Sequence, residues 1–180
     1  MATSFTFSCK VKGLDQFAHA GPALDRVLRA AMVQSLARLQ AEVVTRTPVD
    51  LGTARNDIQT SIEGFGADLV GRVGGHMEYL PTLEEGRRPG AKPPPFESLI
   101  PWVQRHPAAP QSFLTKTGRR SRRKAPSDRS RAFLIARAIG EHGTEGHHMF
   151  EEGLRASERA IAGNFRNAVK ILAATLNNDG

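Results

Sequence analysis

The sequence has 180 residues, of which 39% are hydrophobic and 6% aromatic, and its formal net charge is +7 at pH 7. This length and composition favour one domain with an aliphatic core. We expect no intramolecular disulfide, because Cys9 is the one cysteine. We also expect no membrane span, because no apolar run reaches roughly 20 residues, and no signal peptide at Met1–Ser8.

The positive charge is concentrated in one segment of the chain. Thr115–Arg131 contains eight Lys and Arg residues and a single acid, whereas the remainder contains 17 basic and 17 acidic residues. The chain is therefore a neutral body with one basic insert. This distribution argues against a broad basic face of the kind that binds nucleic acid.

The first half of the chain contains the clearest periodic patterns. Ser4–Lys12 alternates apolar and polar residues with a period of two, which predicts a half-buried strand. Pro22–Arg46 carries apolar residues at spacings of three and four, which predicts a helix roughly 35 Å long. We expect this helix to be the core element against which a sheet packs.

The segment Thr45–Ile62 marks the change from the helical pattern to stranded patterns. Pro48 disfavours helical geometry in the residue before it, and Asp50 and Gly52 supply turn chemistry. We therefore predict a structural turn at Pro48, Asp50 and Gly52, followed by a short polar run. Its role is to direct the chain from the long helix back onto the sheet.

Three strand patterns and a charged turn follow. Ile58–Phe65 and Asp68–Val73 predict a hairpin joined near two glycines, and His76–Leu83 is a third strand candidate that contains a proline. The next residues form a predicted charged turn that contacts a partner protein. Its contact residues are Glu84, Glu85, Arg87 and Arg88.

The second half of the chain predicts three helices. Phe96–His106 is a short amphipathic helix that follows a stiff proline-rich segment. Arg129–Gly140 is a second helix, which either Ser127 or Asp128 caps. Phe150–Leu176 carries a continuous apolar stripe and predicts the closing helix.

Two loops separate these helices. Glu141–His148 is interrupted by glycines, and residues 111–127 are poor in apolar side chains, which predicts a mobile basic loop. This basic loop is either a solvated surface segment or a contact site for a polyanion, nucleic acid or an acidic protein face. Because aromatic residues are not interleaved with the charges, nucleic-acid contact would be directed at phosphates and independent of sequence. The predicted contact residues are Lys116, Arg119, Arg120, Arg122, Arg123 and Lys124.

The titratable residues do not form a catalytic or metal-binding pattern. The three histidines of Glu141–His148 do not follow a known zinc spacing. Glu78, Glu84 and Glu85 supply carboxylates, but neither a histidine nor a nucleophile accompanies them, so a hydrolase is the least favoured hypothesis. We expect a protein that is not an enzyme and that uses neither a metal nor a cofactor.

Several short motifs occur in a defined order. The long helix leads into T-P-V-D-x-G at Thr47–Gly52, a strand of the type G-x-V-G covers Gly71–Gly74, and a tyrosine-containing segment then ends in acid–Gly. A proline-rich stretch and a short tryptophan-containing helix come next. The series ends with an I-A-R-x-I helix, a G-T-x-G segment and a phenylalanine before the closing helix: Ile135–Ile139, Gly143–Gly146 and Phe150.

This series resembles the head–tail joining or tail-completion proteins of long-tailed phages, over roughly Leu24–Leu172. The chain departs from the family pattern at Leu83–Arg87, where L-E-E-G-R replaces V-E-x-G-T, and in the length of its basic insert. The resemblance implies an α+β fold, in which a long N-terminal helix packs on a small, mostly antiparallel sheet and a C-terminal helix closes the domain.

The same resemblance implies a structural protein of the virion neck that assembles in the host cytoplasm. Members form rings, commonly of six copies. Their neighbours are the tail terminator or tail-tube protein and the head-side connector or stopper protein, with genomic DNA in the channel as a further candidate partner. The alternative function is a sequence-independent nucleic-acid-binding module that uses the basic loop.

Overall fold

A computed structural model describes residues 7–9, 21–107 and 126–178 of the chain. Within the single domain that the sequence favours, the chain divides into two compact units. Unit 1 comprises Met1–Glu85 and Gly146–Gly180, and unit 2 comprises Gly86–Glu145. The elements in chain order are β1 (Phe7–Cys9), α1 (Gly21–Arg46), α2 (Thr53–Asp57), β2 (Gln59–Glu63), β3 (Val70–Gly74), α3 (Leu80–Glu85), β4 (Gly86–Arg87), α4 (Phe96–Arg105), α5 (Asp128–His142), β5 (Thr144–Glu145) and α6 (Met149–Asn178).

Helix α1 is the central element of unit 1 and confirms the predicted long helix. Its buried residues recur at spacings of three and four, which places them on one broad face. They are Leu24, Leu28, Ala31, Met32, Ser35, Leu36, Leu39 and Val43. This face joins one apolar core with residues of the sheet and of α6, including Val73, Phe150 and Leu172.

The sheet of unit 1 has three antiparallel strands in the order β1-β3-β2. Strands β2 and β3 form the predicted hairpin, with Ser61 opposite Arg72, and a 3₁₀ turn at Gly66–Asp68 joins them. Strand β1 pairs with β3 through Phe7–Cys9, and the rest of the predicted Ser4–Lys12 strand lies outside the described residues. The α+β class that the sequence analysis expected is therefore confirmed.

One carboxylate fixes the hairpin to the start of α1. Asp25 accepts a hydrogen bond from the backbone N–H of Gly66 at 2.9 Å and one from Nε of Arg29 at 3.3 Å. The Gly66 hydrogen bond is the main cause that lowers the pKa of Asp25, and Arg29 lowers it further. Because the pKa is lower in the folded state, this carboxylate stabilises the fold above its unfolded-state pKa, and its contribution is lost as the pH falls through the folded-state pKa.

The predicted strand at His76–Leu83 is wrong, because the chain turns there into helix α3. The carboxylate of Asp57 accepts the backbone N–H groups of His76 at 2.6 Å and Met77 at 2.8 Å, which turns the chain at the end of β3. Pro81 then falls in the first turn of α3, where its missing N–H costs no helical hydrogen bond. The proline that suggested a strand end instead begins a helix.

Two segments expected to be irregular have regular structure. The polar run after Gly52 forms helix α2. In the predicted Glu141–His148 loop, α5 continues to His142, and β5 pairs with β4 so that Gly86 lies opposite Glu145. Because Gly86 and Arg87 form β4, the predicted charged turn is also partly a strand.

Unit 2 is built on α4 and α5, which confirm the two predicted helices. Among the described residues of this unit, Val103 of α4 and Ala132 and Ala136 of α5 are buried. Of the two predicted caps, Ser127 is the N-cap of α5, and its hydroxyl accepts the N–H of Ser130 at 3.2 Å. Residues 108–125 lie outside the described part of the chain, and they include all six basic contact residues between Lys116 and Lys124.

We predict that Gly71→Ala destabilises the fold. A methyl group at Gly71 in β3 would overlap Sδ of Met32 and reach 3.0 Å from Leu36, both on α1. The packing of α1 on the sheet would have to loosen, at a cost of about 1–3 kcal/mol. The free energy of unfolding in urea measures this change.

The matched control is Gly163→Ala in α6, where an added methyl group meets no atom within 4 Å. Alanine is a better helix former than glycine, so this variant should gain about 0.5–1 kcal/mol. Equal stability of the two variants would contradict the close approach of α1 to β3.

Candidate interaction surfaces

The predicted structural turn connects α1 to α2 and is held at both ends. Thr47 is buried, and its hydroxyl donates to the carbonyl of Val43 at 2.8 Å. Arg55 of α2 donates through Nε to the carbonyl of Thr47 at 2.9 Å. Gly52 has a φ of 78°, a left-handed conformation that glycine adopts without strain. The turn therefore has a fixed shape, with Pro48 following the last turn of α1.

The tip of this turn exposes apolar side chains. Val49 is 55% exposed and Leu51 is 64% exposed, and Asp50 between them is also exposed. We call Val49–Leu51 the hinge tip. Two large aliphatic side chains held outward by a fixed turn are typical of a contact site for another protein, since nothing in the turn itself covers them.

Glu84 lies inside unit 1 and not in a surface loop, which corrects its predicted role as an exposed partner contact. Its side chain is 5% exposed at the end of α3. The carboxylate accepts the N–H of Phe150 at 3.0 Å and that of Glu151 at 3.1 Å. These are first-turn amides of α6, which lack partners within the helix and are stabilised by negative charge.

The backbone reinforces the connection that Glu84 makes. The carbonyl of Leu83 accepts the N–H of His147 at 2.7 Å, and the carbonyl of Glu84 accepts that of His148 at 3.2 Å. A methyl group at Gly146 would overlap the carbonyl oxygen of Glu84, so the two segments are in close backbone contact. The end of α3 and the start of α6 are thus joined at one point.

The other predicted contact residues of the charged turn differ in exposure and lie in different units. Glu85 is an exposed residue of unit 1. Arg88 in unit 2 is exposed, whereas Arg87 is half-buried and donates to the carbonyl of Lys92 at 3.2 Å. The four residues therefore do not form one contact surface.

Unit 2 contains an apolar cavity of about 480 Å³ open to solvent, which we call the unit 2 groove. The proline-rich segment forms one wall, and α5 forms the other. The lining residues are Gly90, Ala91, Pro93, Pro94, Pro95, Phe96, Phe133, Ala136, Arg137, Gly140 and Glu141. Phe133 is 53% exposed, although its ring contacts that of Phe96 edge-on at 6.0 Å.

The groove has charged residues at its edge. The guanidinium of Arg129 lies 5.0 Å from the ring centre of Phe96, a cation–π contact. Arg137 donates to the carboxylate of Glu141 at 2.7 Å. This hydrogen bond is the main cause that lowers the pKa of Glu141 and raises that of Arg137, so both groups are charged at neutral pH.

Charge is divided unequally between the two units. Unit 2 contains 13 Lys and Arg residues and four Asp and Glu residues, a net charge of +9. Unit 1 contains 12 basic and 14 acidic residues, a net charge of −2. The basic insert is therefore part of a unit that is basic as a whole, and an acidic partner is attracted to unit 2.

The histidines of the predicted loop have structural positions. His142 is the last residue of α5, and His147 and His148 precede α6, with His148 at a φ of 44°. In the described ranges, no three His, Cys, Asp or Glu side chains come together in a way that could hold a metal ion. Of the helices in the same ranges, none combines the length and the apolar character needed to cross a membrane.

Sequence reasoning missed the two apolar surfaces and the burial of Glu84. Val49, Leu51 and Phe133 belong to residue types that usually fill cores, so composition does not show that they face solvent. The sequence signal for the groove was the run of three prolines before Phe96, because a stiff extended segment packs less closely against a neighbouring helix than a flexible one does. The burial of Glu84 depends on α6, more than 60 residues away in the sequence.

Comparison of the chain with family models, with curated proteins and with solved structures finds no match.

We predict that Glu84→Ala destabilises unit 1. The substitution removes the acceptor of two backbone N–H groups at the start of α6, and the loss of such buried hydrogen bonds costs about 1–3 kcal/mol. Glu85→Ala is the matched control, since it removes the neighbouring exposed carboxylate and should change stability by less than about 0.5 kcal/mol. Urea unfolding followed by circular dichroism compares the two, and an equal effect would show that Glu84 does not hold α6.

Proposed function

We propose that the protein is a ring-forming structural subunit of the neck of a long-tailed phage, a tail-completion or head–tail joining protein. In this proposal it acts without catalysis. It assembles with copies of itself, commonly six, in the host cytoplasm and becomes part of the virion. Its neighbours are the tail terminator or tail-tube protein on one side and the head-side connector or stopper protein on the other.

The observation that carries this proposal is the ordered motif series on a fold of the expected class. The series begins with T-P-V-D-x-G at Thr47–Gly52 and continues to Phe150 at the start of α6. The resemblance implies a long helix on a small antiparallel sheet with a C-terminal helix, and α1, the β1-β3-β2 sheet and α6 have this arrangement. The T-P-V-D-x-G motif forms the turn between α1 and α2, in which Gly52 has a left-handed conformation.

The surfaces of both units support a role in protein–protein contact. The hinge tip of unit 1 and the groove of unit 2 each expose apolar side chains. Exposed apolar groups of this size rimmed by charges are typical of interfaces. An assembly subunit needs contacts with its own copies and with other proteins, and the chain offers such surfaces on each unit.

We predict that the purified full-length protein binds the ends of tail tubes of the phage that encodes it. Electron microscopy of the mixture should show added density at tube ends, and added protein should restore joining to heads in extracts that lack it. Tubes of an unrelated phage are the control. Tube ends that stay bare, together with no restored joining, would contradict the neck assignment.

The charge distribution supports a second candidate function, a sequence-independent nucleic-acid-binding module. Unit 2 has a net charge of +9 and contains the whole basic insert. Contacts between Lys or Arg and phosphates release counterions, so binding by such a module weakens steeply as salt rises.

We predict that replacing the six basic residues from Lys116 to Lys124 with neutral ones abolishes binding to duplex DNA and flattens the salt dependence of that binding. Each lost phosphate contact should lower the slope of log K against log salt concentration by roughly 0.9. Fluorescence anisotropy at several salt concentrations measures the slope. The control replaces Arg26, Arg38 and Arg166 in unit 1, and binding that is unchanged in the six-residue variant would contradict the nucleic-acid function.

A further inference from the structure

The hinge tip presents a small apolar anchor of fixed shape. Val49 and Leu51 are exposed on either side of Asp50, and the turn that carries them is held by the hydrogen bond from Arg55 to the carbonyl of Thr47. A preorganised loop loses little conformational entropy when it binds, which favours its use as an anchor.

The unit 2 groove presents the complementary environment. Its lining is mostly proline, phenylalanine, alanine and glycine, which suit aliphatic side chains, and the guanidinium of the lining residue Arg137 is already bonded to Glu141. Arg129 lies over one face of the Phe96 ring and Phe133 contacts the ring edge-on, which leaves less of the ring for base stacking. The groove therefore favours an apolar peptide segment over nucleic acid.

The two units that carry these surfaces also have net charges of opposite sign. The groove belongs to the unit with a net charge of +9, and Arg129 lies at its edge. The hinge tip belongs to the unit with a net charge of −2. The unit that carries the hinge tip is thus attracted to the basic unit that contains the groove, and opposite net charges favour their encounter.

We propose that the hinge tip of one copy docks in the unit 2 groove of a second copy, with Leu51 as the apolar anchor. The hinge tip and the unit 2 groove are different surfaces of the same chain, so the contact is heterologous. A heterologous contact repeated from copy to copy forms a ring if its rotation closes. The proposal rests on the proposed function, because it names the contact between the subunits of the ring.

Disulfide trapping between separately purified variants tests the docking. Leu51→Cys and Phe133→Cys, both in a Cys9→Ser background and one of them carrying a mass tag, are mixed as full chains and oxidised. We expect a mixed disulfide dimer that neither variant forms alone. Because the two cysteines are on different molecules and Cys9 is replaced in both, only a contact between positions 51 and 133 of two copies produces this species.

The control mixture pairs Leu51→Cys with Leu134→Cys. Leu134 is 55% exposed on the same helix, close to the 53% of Phe133, but it does not line the groove. We expect at least tenfold less mixed dimer with this partner. Equal yields from the two mixtures, or no mixed dimer with Phe133→Cys, would overturn the proposal.

A charge substitution gives an independent test. Leu51→Asp should weaken self-association roughly tenfold or more, as loss of an interface anchor does. The unfolding midpoint, measured at a concentration at which both proteins are monomeric, should stay unchanged because Leu51 is exposed. Val33→Asp, at an exposed apolar position on α1, is the matched control and should leave self-association unchanged. If Phe133→Asp abolishes binding to tail tubes but not self-association, the groove takes another protein and the proposal is wrong.

These outcomes separate the docking contact from the proposed function. Wild-type protein that binds tube ends and forms oligomers without the mixed disulfide overturns the docking contact and leaves the neck function standing. A mixed disulfide together with bare tube ends supports the contact and contradicts the neck function.

Discussion

The close packing of helix α1 against the sheet and against α6 determines where the other elements of unit 1 lie. On the sheet side, Gly71 lets β3 approach Met32 so closely that a methyl group would not fit. Further along the same buried face of α1, an added methyl at Gly153 of α6 would come within 2.8 Å of Val43. Both approaches occur at glycines, so the backbones of β3 and α6 pack directly against apolar side chains of α1. The core can therefore be aliphatic and still well filled.

The connection between α3 and α6 explains how unit 2 is attached to this frame. The chain leaves unit 1 after Glu85 and returns at Gly146, and the Glu84 carboxylate and the carbonyl of Leu83 hold the returning segment. The β4–β5 pair begins unit 2 at the same point in the chain. Unit 2 is thus an insertion whose two ends are adjacent. Its groove is built from the proline-rich segment, Phe96 of α4 and residues of α5.

The sequence predicted the elements whose pattern is local and failed where structure depends on distant residues. The periodic patterns were sufficient to predict α1, α5, α6 and the hairpin, because an element with one buried face has apolar residues at regular spacing in the sequence. Helix α3 was missed because the turn that starts it depends on Asp57, about 20 residues earlier. Of the candidate site residues, Pro48 and Gly52 lie in the expected turn, whereas Glu84 proved to be buried beneath α6. The exposure of Leu51 and Phe133 could not be read from their residue type.

The proposed function connects these features, because a ring subunit needs a rigid frame and surfaces that match between copies. The frame is α1 with its sheet and α6, and the surfaces are the hinge tip and the groove. The mass of the native assembly, measured for the full-length chain over a range of concentrations, tests this account most directly. The account predicts one closed species at a small fixed multiple of 19.6 kDa, which does not grow as concentration rises. A monomer at every concentration, or an open-ended series of masses, would contradict it.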